Sequence, residues 1–332
     1  MAHIDFLGIG DIVTDAFIEL QDATVNCDIS KENCQICMRF GDKIPYKDVT
    51  VVPAVGNSPN AAVSAHRLGL NSAILTEIGD DRTGDECLEA LKKEGVGTDY
   101  VNVHTGEKTN YHYVLSYEAE RTILIKHTEF AYKLPNFSEN PRWVYLSSLG
   151  ENSLSYQKEI ASWIKANPDI KLAFQPGTFQ IKMSDELSEL YEIAEISFCN
   201  KEEAKRILHK SPESSDDIKT LIADMHKKGP RIVVITDGPE GAYASDGATV
   251  WHMPMYPDIA PPVDRTGAGD SFSSTFTCAL ALGMSIPEAL SWGPINSMSV
   301  VQYMGAQKGL LSREKLEEYL AKAPEDYKPK EI

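Results

Sequence analysis

The chain has 332 residues, of which 42% are hydrophobic and 24% charged, and its formal net charge is −17. This length and apolar content suffice for one large core, whereas the acidic balance argues against nucleic acid as a partner, because phosphate backbones are bound by clustered lysine and arginine. No stretch approaches the roughly 20 apolar residues that a membrane-spanning helix needs, and the first residues lack the layout of a secretion signal, so we expect a cytoplasmic protein without a membrane partner.

The chain opens with a buried strand and then an insertion. Residues 4–10 form a short apolar run that ends in glycine, which predicts the first strand of the core. Residues 16–55 differ, because strand-like segments at 17–20 and 49–55 flank a polar loop that contains cysteines. This pattern indicates an insertion rather than part of the core.

Three of the six cysteines, Cys27, Cys34 and Cys37, cluster in that loop. Six cysteines in a chain of this size do not make a disulfide scaffold. A zinc site usually needs a fourth ligand, and the nearby histidines in sequence are only His3 and His66. We therefore expect reduced cysteines that pack beneath a flap, with a metal site as the alternative.

A helix is predicted after the insertion, with Ser58 as N-cap, Pro59 in the first turn and Gly69 at the C-terminal end. The remaining strands are predicted at 72–78, 111–117, 122–126, 143–148, 170–174, 195–199 and 231–235. The remaining helices are predicted at 82–94, 154–166, 185–193, 218–227, 267–282, 286–303 and 312–320.

The alternation of strands and helices from residue 143 onward predicts a parallel sheet that is covered by helices on both faces, with ligands at the carboxyl ends of the strands. The two strands around residues 118–121 are expected to pair and to join the insertion in one small sheet. The charged tail from residue 324 is expected to fray.

The segment from residue 264 to residue 272 is the most informative for chemistry. The small residues Gly267, Ala268 and Gly269 let backbone N–H groups approach a ligand, and the helix that begins there adds its positive dipole end, so the segment predicts an anion hole. Asp270 lies in the first turn and would accept a proton from a hydroxyl during phosphoryl transfer. The alternative is a tight loop with a capping carboxylate. The chain contains neither a P-loop nor the protein-kinase motifs.

The segment 264–270 resembles the signature of the ribokinase-like (PfkB) carbohydrate kinase family, and the resemblance extends over nearly the whole chain, because several separate motifs fall in the right order. The resemblance implies an α/β fold in which helices flank a central, mostly parallel sheet, with a small β lid. It implies a single domain at 1–332 whose lid is formed by about residues 16–55 and 108–128.

The same resemblance implies roles for individual residues. Asp270 would be the catalytic base, and the amides of residues 267–269 would hold the developing charge. The residues implied to bind substrate are Asp15, Gly56, Asn57 and Asn60; the family's usual glycine before Gly56 is Val55 here. The residues implied to bind ATP are Asn200, Thr236, Gly238, Gly241 and Asn296.

Asn200 and Glu203 match the family's Asn-x-x-Glu motif, which implies that they organise magnesium through water. Without the family, such a pair at a helix start is more often a capping box. Asn296, as a lone polar residue on a helix, would otherwise be an ordinary solvated position.

The implied reaction is transfer of the ATP γ-phosphoryl group to a hydroxyl, with ATP and Mg²⁺ and, in this family, a monovalent cation such as K⁺ as an open possibility. A pentose or hexose is the first choice of substrate. A nucleoside is the alternative, since Phe17, Tyr111 and Tyr113 on the lid would stack on a base. A sugar phosphate would need cations such as Arg121 and Lys126.

A non-catalytic sugar sensor is disfavoured, because the catalytic aspartate and the anion-hole glycines are intact. The lid is also implied to exclude water and to offer a homodimer contact.

Overall fold

The computed structural model of the protein describes residues 3–27, 34–117 and 120–332. Residues 28–33 of the expected cysteine loop and residues 118–119 of the expected turn lie outside this range. The strands within it are β1 Phe6–Ile9, β2 Val13–Leu20, β3 Thr24–Asn26, β4 Gln35–Cys37, β5 Tyr46–Val55, β6 Ser72–Gly79, β7 Gly97–His104, β8 Asn110–Tyr117, β9 Glu120–Leu124, β10 Trp143–Leu146, β11 Lys171–Phe174, β12 Ala194–Asn200, β13 Ile232–Thr236, β14 Ala242–Ser245, β15 Val250–Met253 and β16 Lys330–Glu331.

The helices within the same range are α1 Asn57–Arg67, α2 Arg82–Lys93, α3 Leu154–Ala166, α4 Thr178–Lys182, α5 Ser188–Ile193, α6 Lys201–Ile207, α7 Ile218–His226, α8 Ala268–Ala281, α9 Ile286–Val300 and α10 Arg313–Ala321. None of these described helices has the length and apolar character needed to cross a bilayer.

The main sheet has ten strands in the order β16-β15-β14-β13-β12-β11-β10-β1-β6-β7. Its seven strands from β13 to β7 are parallel, and β14, β15 and β16 continue one edge in antiparallel pairing. The mostly parallel sheet expected from the strand–helix alternation is therefore confirmed. Its parallel strands all end at the same edge, where ligand sites of such folds lie.

Strand β10 shows why helices cover both faces of this sheet. Trp143 and Tyr145 pack into the core on the side of α1, α8 and α9, whereas Val144 and Leu146 pack against α3, α5 and α7 on the other side. Side chains of a strand alternate between its two faces, so an uninterrupted apolar run is buried on both.

The small sheet has four strands in the order β5-β2-β8-β9. The two outer pairs are antiparallel, and β2 and β8 are parallel. The expected strand pair thus joins the insertion in one sheet. Asp15 of β2 lies in register with His112 of β8, so these two side chains share one face, and the neighbouring Thr14 lies on the opposite face, where its Oγ1 is 3.5 Å from the Sγ of Cys87 in α2.

The sequence patterns missed some elements and misplaced others. Strand β7 and helix α6 were not predicted, and the helix expected at 185–193 is the shorter α5, preceded by α4. The tail expected to fray instead contributes β16, and Tyr327 before it is buried, with its hydroxyl donating to the carbonyl of Ser291 at 2.6 Å.

The expectation of reduced cysteines is wrong for two of the three in the insertion, because Cys27 and Cys34 form a disulfide. The disulfide links the residue that follows β3 to the residue that precedes β4. These two strands are only three residues long and pair antiparallel. Such a short exposed hairpin buries little apolar surface, and a covalent link compensates for that. Cys37 is free, and its Sγ accepts from the Nδ2 of Asn26 at 3.4 Å. No metal-binding cluster occurs among the described residues.

Candidate active site

Asp270 lies in the first turn of α8, three residues after the glycine that caps this helix. Gly267 is the N-cap with φ of +81°, and a Cβ at this position would come within 2.4 Å of the Cβ of Ala306. Only glycine fits such a left-handed, crowded position without strain. The conformation of Gly267 therefore fixes where α8 begins and where the Asp270 carboxylate lies.

Three side-chain amides donate hydrogen bonds to the Asp270 carboxylate. The Nδ2 of Asn57 is 2.7 Å from Oδ1, the Nδ2 of Asn60 is 2.9 Å from Oδ2, and the Nε2 of Gln175 is 3.1 Å from Oδ1. Burial raises the pKa of Asp270, and the three amide bonds act in the opposite direction. A carboxylate with a raised pKa is a better proton acceptor than an exposed aspartate.

Gln175 was not found from the sequence, although it follows directly after β11 at the carboxyl edge of the sheet. Its Oε1 accepts hydrogen bonds from the Tyr145 hydroxyl and from Ser273, whose Oγ is 2.9 Å away. Because the oxygen end of the amide is held in this way, the Nε2 end is directed towards Asp270. The one sequence signal for Gln175 was its position at the end of a strand.

Asn57 and Asn60, which are expected to contact substrate, both contact Asp270. The preceding Gly56 has φ of +122°, and a Cβ there would lie 2.7 Å from the carbonyl oxygen of Asp11. Gly56 is the N-cap of α1, so the prediction that Ser58 caps this helix is wrong. The Ser58 hydroxyl points inward and donates to the carbonyl of Ile9 at 2.6 Å.

Asp11, just after β1, and Asp15, in β2, each lie beside a histidine. The Asp15 Oδ1 is 3.5 Å from the Nδ1 of His112, and the Asp11 Oδ2 is 3.2 Å from the Nδ1 of His127. The two imidazole rings are in contact, with centroids 5.3 Å apart. Sequence reasoning singled out Asp15 but missed the other three, because the contacts join segments about 100 residues apart.

A cavity of about 220 Å³ opens beside the start of α8. It contains Thr236, Gly238 and Gly241, which were expected to bind ATP, together with Ala268 and Gly269. The glycines of the loop after β13 adopt positive φ, and a Cβ on Gly241 would meet the carbonyl of Met253 at 2.2 Å. The structure therefore brings the predicted nucleotide loop and the predicted anion hole together.

Asn296 does not line this cavity, which corrects the placement expected from the sequence. It is fully buried, its Nδ2 donates to Thr275 at 2.7 Å, and its Oδ1 accepts from the backbone of Leu311 at 3.0 Å. Its neighbours Ser297 and Met298 line the cavity instead.

Asn200 and Glu203 form a reciprocal capping box at the start of α6. The Oδ1 of Asn200 accepts from the Glu203 amide, and the Oε2 of Glu203 accepts from the Asn200 amide, both at 2.8 Å. This is the alternative that the sequence left open. Burial raises the pKa of Glu203, and the Asp270 charge adds to this in a smaller way, so the two carboxylates are close enough to interact.

The fold and the motifs agree with comparisons to known proteins. A sequence model of the pfkB family of carbohydrate kinases matches residues 23–313. Ribokinase of Bacillus subtilis (strain 168) is 28% identical over 313 residues, covering 85% of this chain and 92% of the relative. Fructoselysine 6-kinase of Escherichia coli (strain K12) is 25% identical over 257 residues, covering 76% and 90%.

Among solved structures, Arabidopsis thaliana ribokinase complexed with ribose and ATP superposes with a TM-score of 0.80 at 22% identity, covering 96% of this chain and 99% of that one. This likeness shows that the fold is shared. Because the family model spans most of the sequence, the chain belongs to the pfkB family of carbohydrate kinases and is a phosphotransferase that acts on a sugar or nucleoside hydroxyl.

Proposed function

We propose that this protein transfers the γ-phosphoryl group of ATP to a hydroxyl of a small sugar, a pentose or hexose. The observation that carries the proposal is the position of Asp270 in the anion-binding first turn of α8, where Asn57 and Asn60 of α1 hold its carboxylate. A base and an anion hole in one helical turn are what in-line phosphoryl transfer requires.

In the proposed reaction the sugar oxygen attacks the γ-phosphorus, and the bond from that phosphorus to the bridging oxygen of ADP breaks. The hydroxyl proton passes to the Asp270 carboxylate. The amides of residues 267–269 and the dipole of α8 stabilise the charge on the transferred group. The glycine-lined cavity beside α8 accommodates the nucleotide, whose phosphates approach the backbone closely because Gly269 has no side chain.

Asn200 and Glu203 would hold Mg²⁺ near the phosphates. The donors fit, because Mg²⁺ prefers oxygen ligands, and a dication near Glu203 would offset the burial that raises the pKa of this carboxyl. When bound, Mg²⁺ neutralises charge on the phosphate oxygens.

The four-stranded sheet is proposed to act as a lid with two different faces. The face that carries Asp15 and His112 also carries Arg121 of β9, which lies 3.6 Å from the carboxylate of Asp264 in the loop before α8. The opposite face is proposed to bind a second copy of the chain. It presents large apolar side chains that are 42% to 52% exposed, namely Val49, Val51, Tyr113 and Leu124.

The lid aromatics do not favour a nucleoside over a sugar. Tyr111 and Tyr113 alternate with His112 along β8 and therefore lie on the outward face, away from Asp15. Phe17 shares the inner face but is buried. A stacking site for a base would need an aromatic ring that is exposed at the proposed substrate site.

The test is ADP release from ATP and Mg²⁺ with ribose, fructose, fructose 6-phosphate, ribose 1-phosphate, adenosine and cytidine as separate acceptors. We expect one unphosphorylated sugar to give the highest kcat/KM. A nucleoside as the best acceptor would contradict the proposal, and so would absence of turnover with every acceptor.

A further inference from the structure

The loop after β1 and the small sheet bring together acidic groups that act neither as the base nor as the anion hole in the proposed phosphoryl transfer. Asp11 and Asp15 are only 7% and 9% exposed, although carboxylates are rarely buried without a cation or several donors. We call the four residues Asp11, Asp15, His112 and His127 the acidic wall. Its charge bears on which substrates enter.

Asp11 is held firmly in this wall. Its Oδ1 accepts from the Tyr132 hydroxyl at 2.9 Å, and its Oδ2 lies 3.2 Å from His127. The Gly150 amide in turn donates to the Tyr132 oxygen at 3.1 Å, and a Cβ at Gly150 would come within 2.9 Å of that oxygen. The glycine therefore leaves room for the tyrosine that orients Asp11.

The hydrogen-bonding capacity of the Asp15 carboxylate is less well satisfied than that of Asp11. Among the residues that the structure describes, its buried Oδ1 has no hydrogen-bond partner, and neither does the buried Nε2 of His112. A buried carboxylate oxygen without a donor is costly unless a ligand supplies one. A ligand that brings a strong donor to this point would remove the cost.

The ion pairs of Asp11 and Asp15 within the described part of the chain are with histidines alone. A histidine cancels a carboxylate charge only in its protonated form. The cations suggested earlier for a substrate phosphate are engaged elsewhere or exposed, since Arg121 pairs with Asp264 and Lys126 lies at the surface. Lys182 packs on the Phe179 ring and pairs with neither carboxylate.

We propose that the acidic wall selects a polyhydroxylated substrate that carries a protonated amine, and that it rejects phosphorylated sugars. The inference rests on the proposed kinase function and specifies its substrate class. An ammonium group supplies several donors and a positive charge, which satisfy Asp15 and balance Asp11, whereas a neutral hydroxyl supplies one donor. A phosphate would meet like charge, and within the described part of the chain no arginine or lysine forms an ion pair with Asp11 or Asp15.

The experiment measures binding by calorimetry, so that it does not depend on turnover. Two matched pairs differ by one group, fructose against 1-amino-1-deoxyfructose and glucose against glucosamine, and fructose 6-phosphate is the anionic probe. We expect an amino sugar to bind about tenfold or more tightly than its neutral partner in at least one pair, because a close charge pair in a partly buried site is worth at least that. Fructose 6-phosphate should bind more weakly than fructose.

Variants assign the selectivity to the wall. Asp11→Asn keeps the shape and removes the charge, so it should reduce the amine preference about tenfold or more. Tyr132→Phe leaves the Asp11 charge in place and should keep the preference. Asp22→Asn removes one exposed carboxylate just beyond β2 and is the matched control.

The outcomes separate this inference from the proposed function. Equal affinities within both pairs, absence of binding by all four sugars, or tighter binding of fructose 6-phosphate would overturn the inference. A preference that survives Asp11→Asn in a folded variant would overturn it as well. Selective binding of the amino sugar without ADP release would contradict the proposed kinase reaction and leave the selectivity of the wall established.

Discussion

At the scale of single residues, the chemistry depends on how Asp270 is surrounded. Three amides hold its carboxylate, and one of them belongs to Gln175, which Tyr145 and Ser273 hold in turn. Each amide that donates to the carboxylate favours its ionised form and lowers the pKa. Gln175 is thus a positioning residue that acts through Asp270.

Gln175→Met should raise the pKa of Asp270 further, because burial already raises it and one opposing hydrogen bond is lost. A base works only when it is deprotonated, so the acid limb of the pH profile of kcat/KM should move to higher pH. Gln157→Met is the control, since Gln157 is a buried glutamine of α3 that donates to Ser153. An unchanged acid limb in an active Gln175→Met enzyme would contradict the positioning role.

The sequence revealed the site residues that sit in local motifs and missed those that meet only in the fold. Asp270 and Gly267 fall in one short segment with a recognisable pattern. Gln175 and Asp270 are 95 residues apart, and Asp11 and His127 are 116 apart, so no spacing relates them. Asn296 was predicted to bind ATP but is buried. The sequence alone does not indicate whether a polar residue on a helix faces a ligand or the core.

At the scale of elements, the start of α8 contains two glycines with different roles. A Cβ at Gly267 would clash with Ala306, whereas a Cβ at Gly269 meets no atom within 4 Å. Gly267→Ala should therefore lower the free energy of unfolding by on the order of 1–3 kcal/mol. Gly269→Ala should leave the melting temperature unchanged or raise it, since alanine favours the helix.

Gly269→Ala should nevertheless lower kcat/KM for ATP by about tenfold or more, because the methyl group occupies space beside the developing charge. Thermal melting and steady-state kinetics of both variants check the pair. Full activity in a stable Gly269→Ala protein would show that the phosphates bind elsewhere.

The disulfide beside the hairpin of β3 and β4 leads to a prediction about the number of free thiols. If Cys27 and Cys34 are bonded, the four remaining cysteines, Cys37, Cys87, Cys199 and Cys278, are free thiols. Thiol titration of the unfolded protein should therefore give four thiols without reductant and, after reduction, all six of the cysteines in the sequence. Six thiols before reduction would contradict the disulfide.

Elements with a strong hydrophobic periodicity or clear capping residues were predictable, and elements that form only through tertiary contacts were not. Helix α3 coincides with its predicted range, 154–166. Strand β7 is polar at several positions because it forms an edge of the main sheet, so it lacks a clear apolar alternation. Strand β16 is two residues long and exists only through its pairing with β15.

At the scale of the whole molecule, the outward face of the small sheet is the surface most suited to self-association. Sedimentation should give about twice the 36.7 kDa mass of one chain. Val51→Lys should shift the protein to the monomer, because it places a charge in an apolar contact. Val103→Lys changes an equally exposed valine of β7 and should not. A monomeric unmodified protein would exclude this interface.

The surroundings of α8 show how an acidic protein would bind ATP in the proposed reaction. The net charge of −17 would repel a nucleotide at long range. The cavity proposed for the nucleotide is lined by glycines, the start of α8 and Arg265, and helix starts and backbone amides attract phosphate. Asp11 and Asp15 do not line this cavity.

The most direct test of the account is the rate of phosphoryl transfer by Asp270→Asn with the best sugar acceptor, measured in a single turnover with saturating ATP and Mg²⁺. The asparagine keeps the shape but cannot accept the proton, so we predict a folded protein that binds ATP and transfers phosphoryl about 10²–10⁴ times more slowly. Transfer at the unmodified rate in a folded Asp270→Asn protein would contradict the central claim that Asp270 is the base.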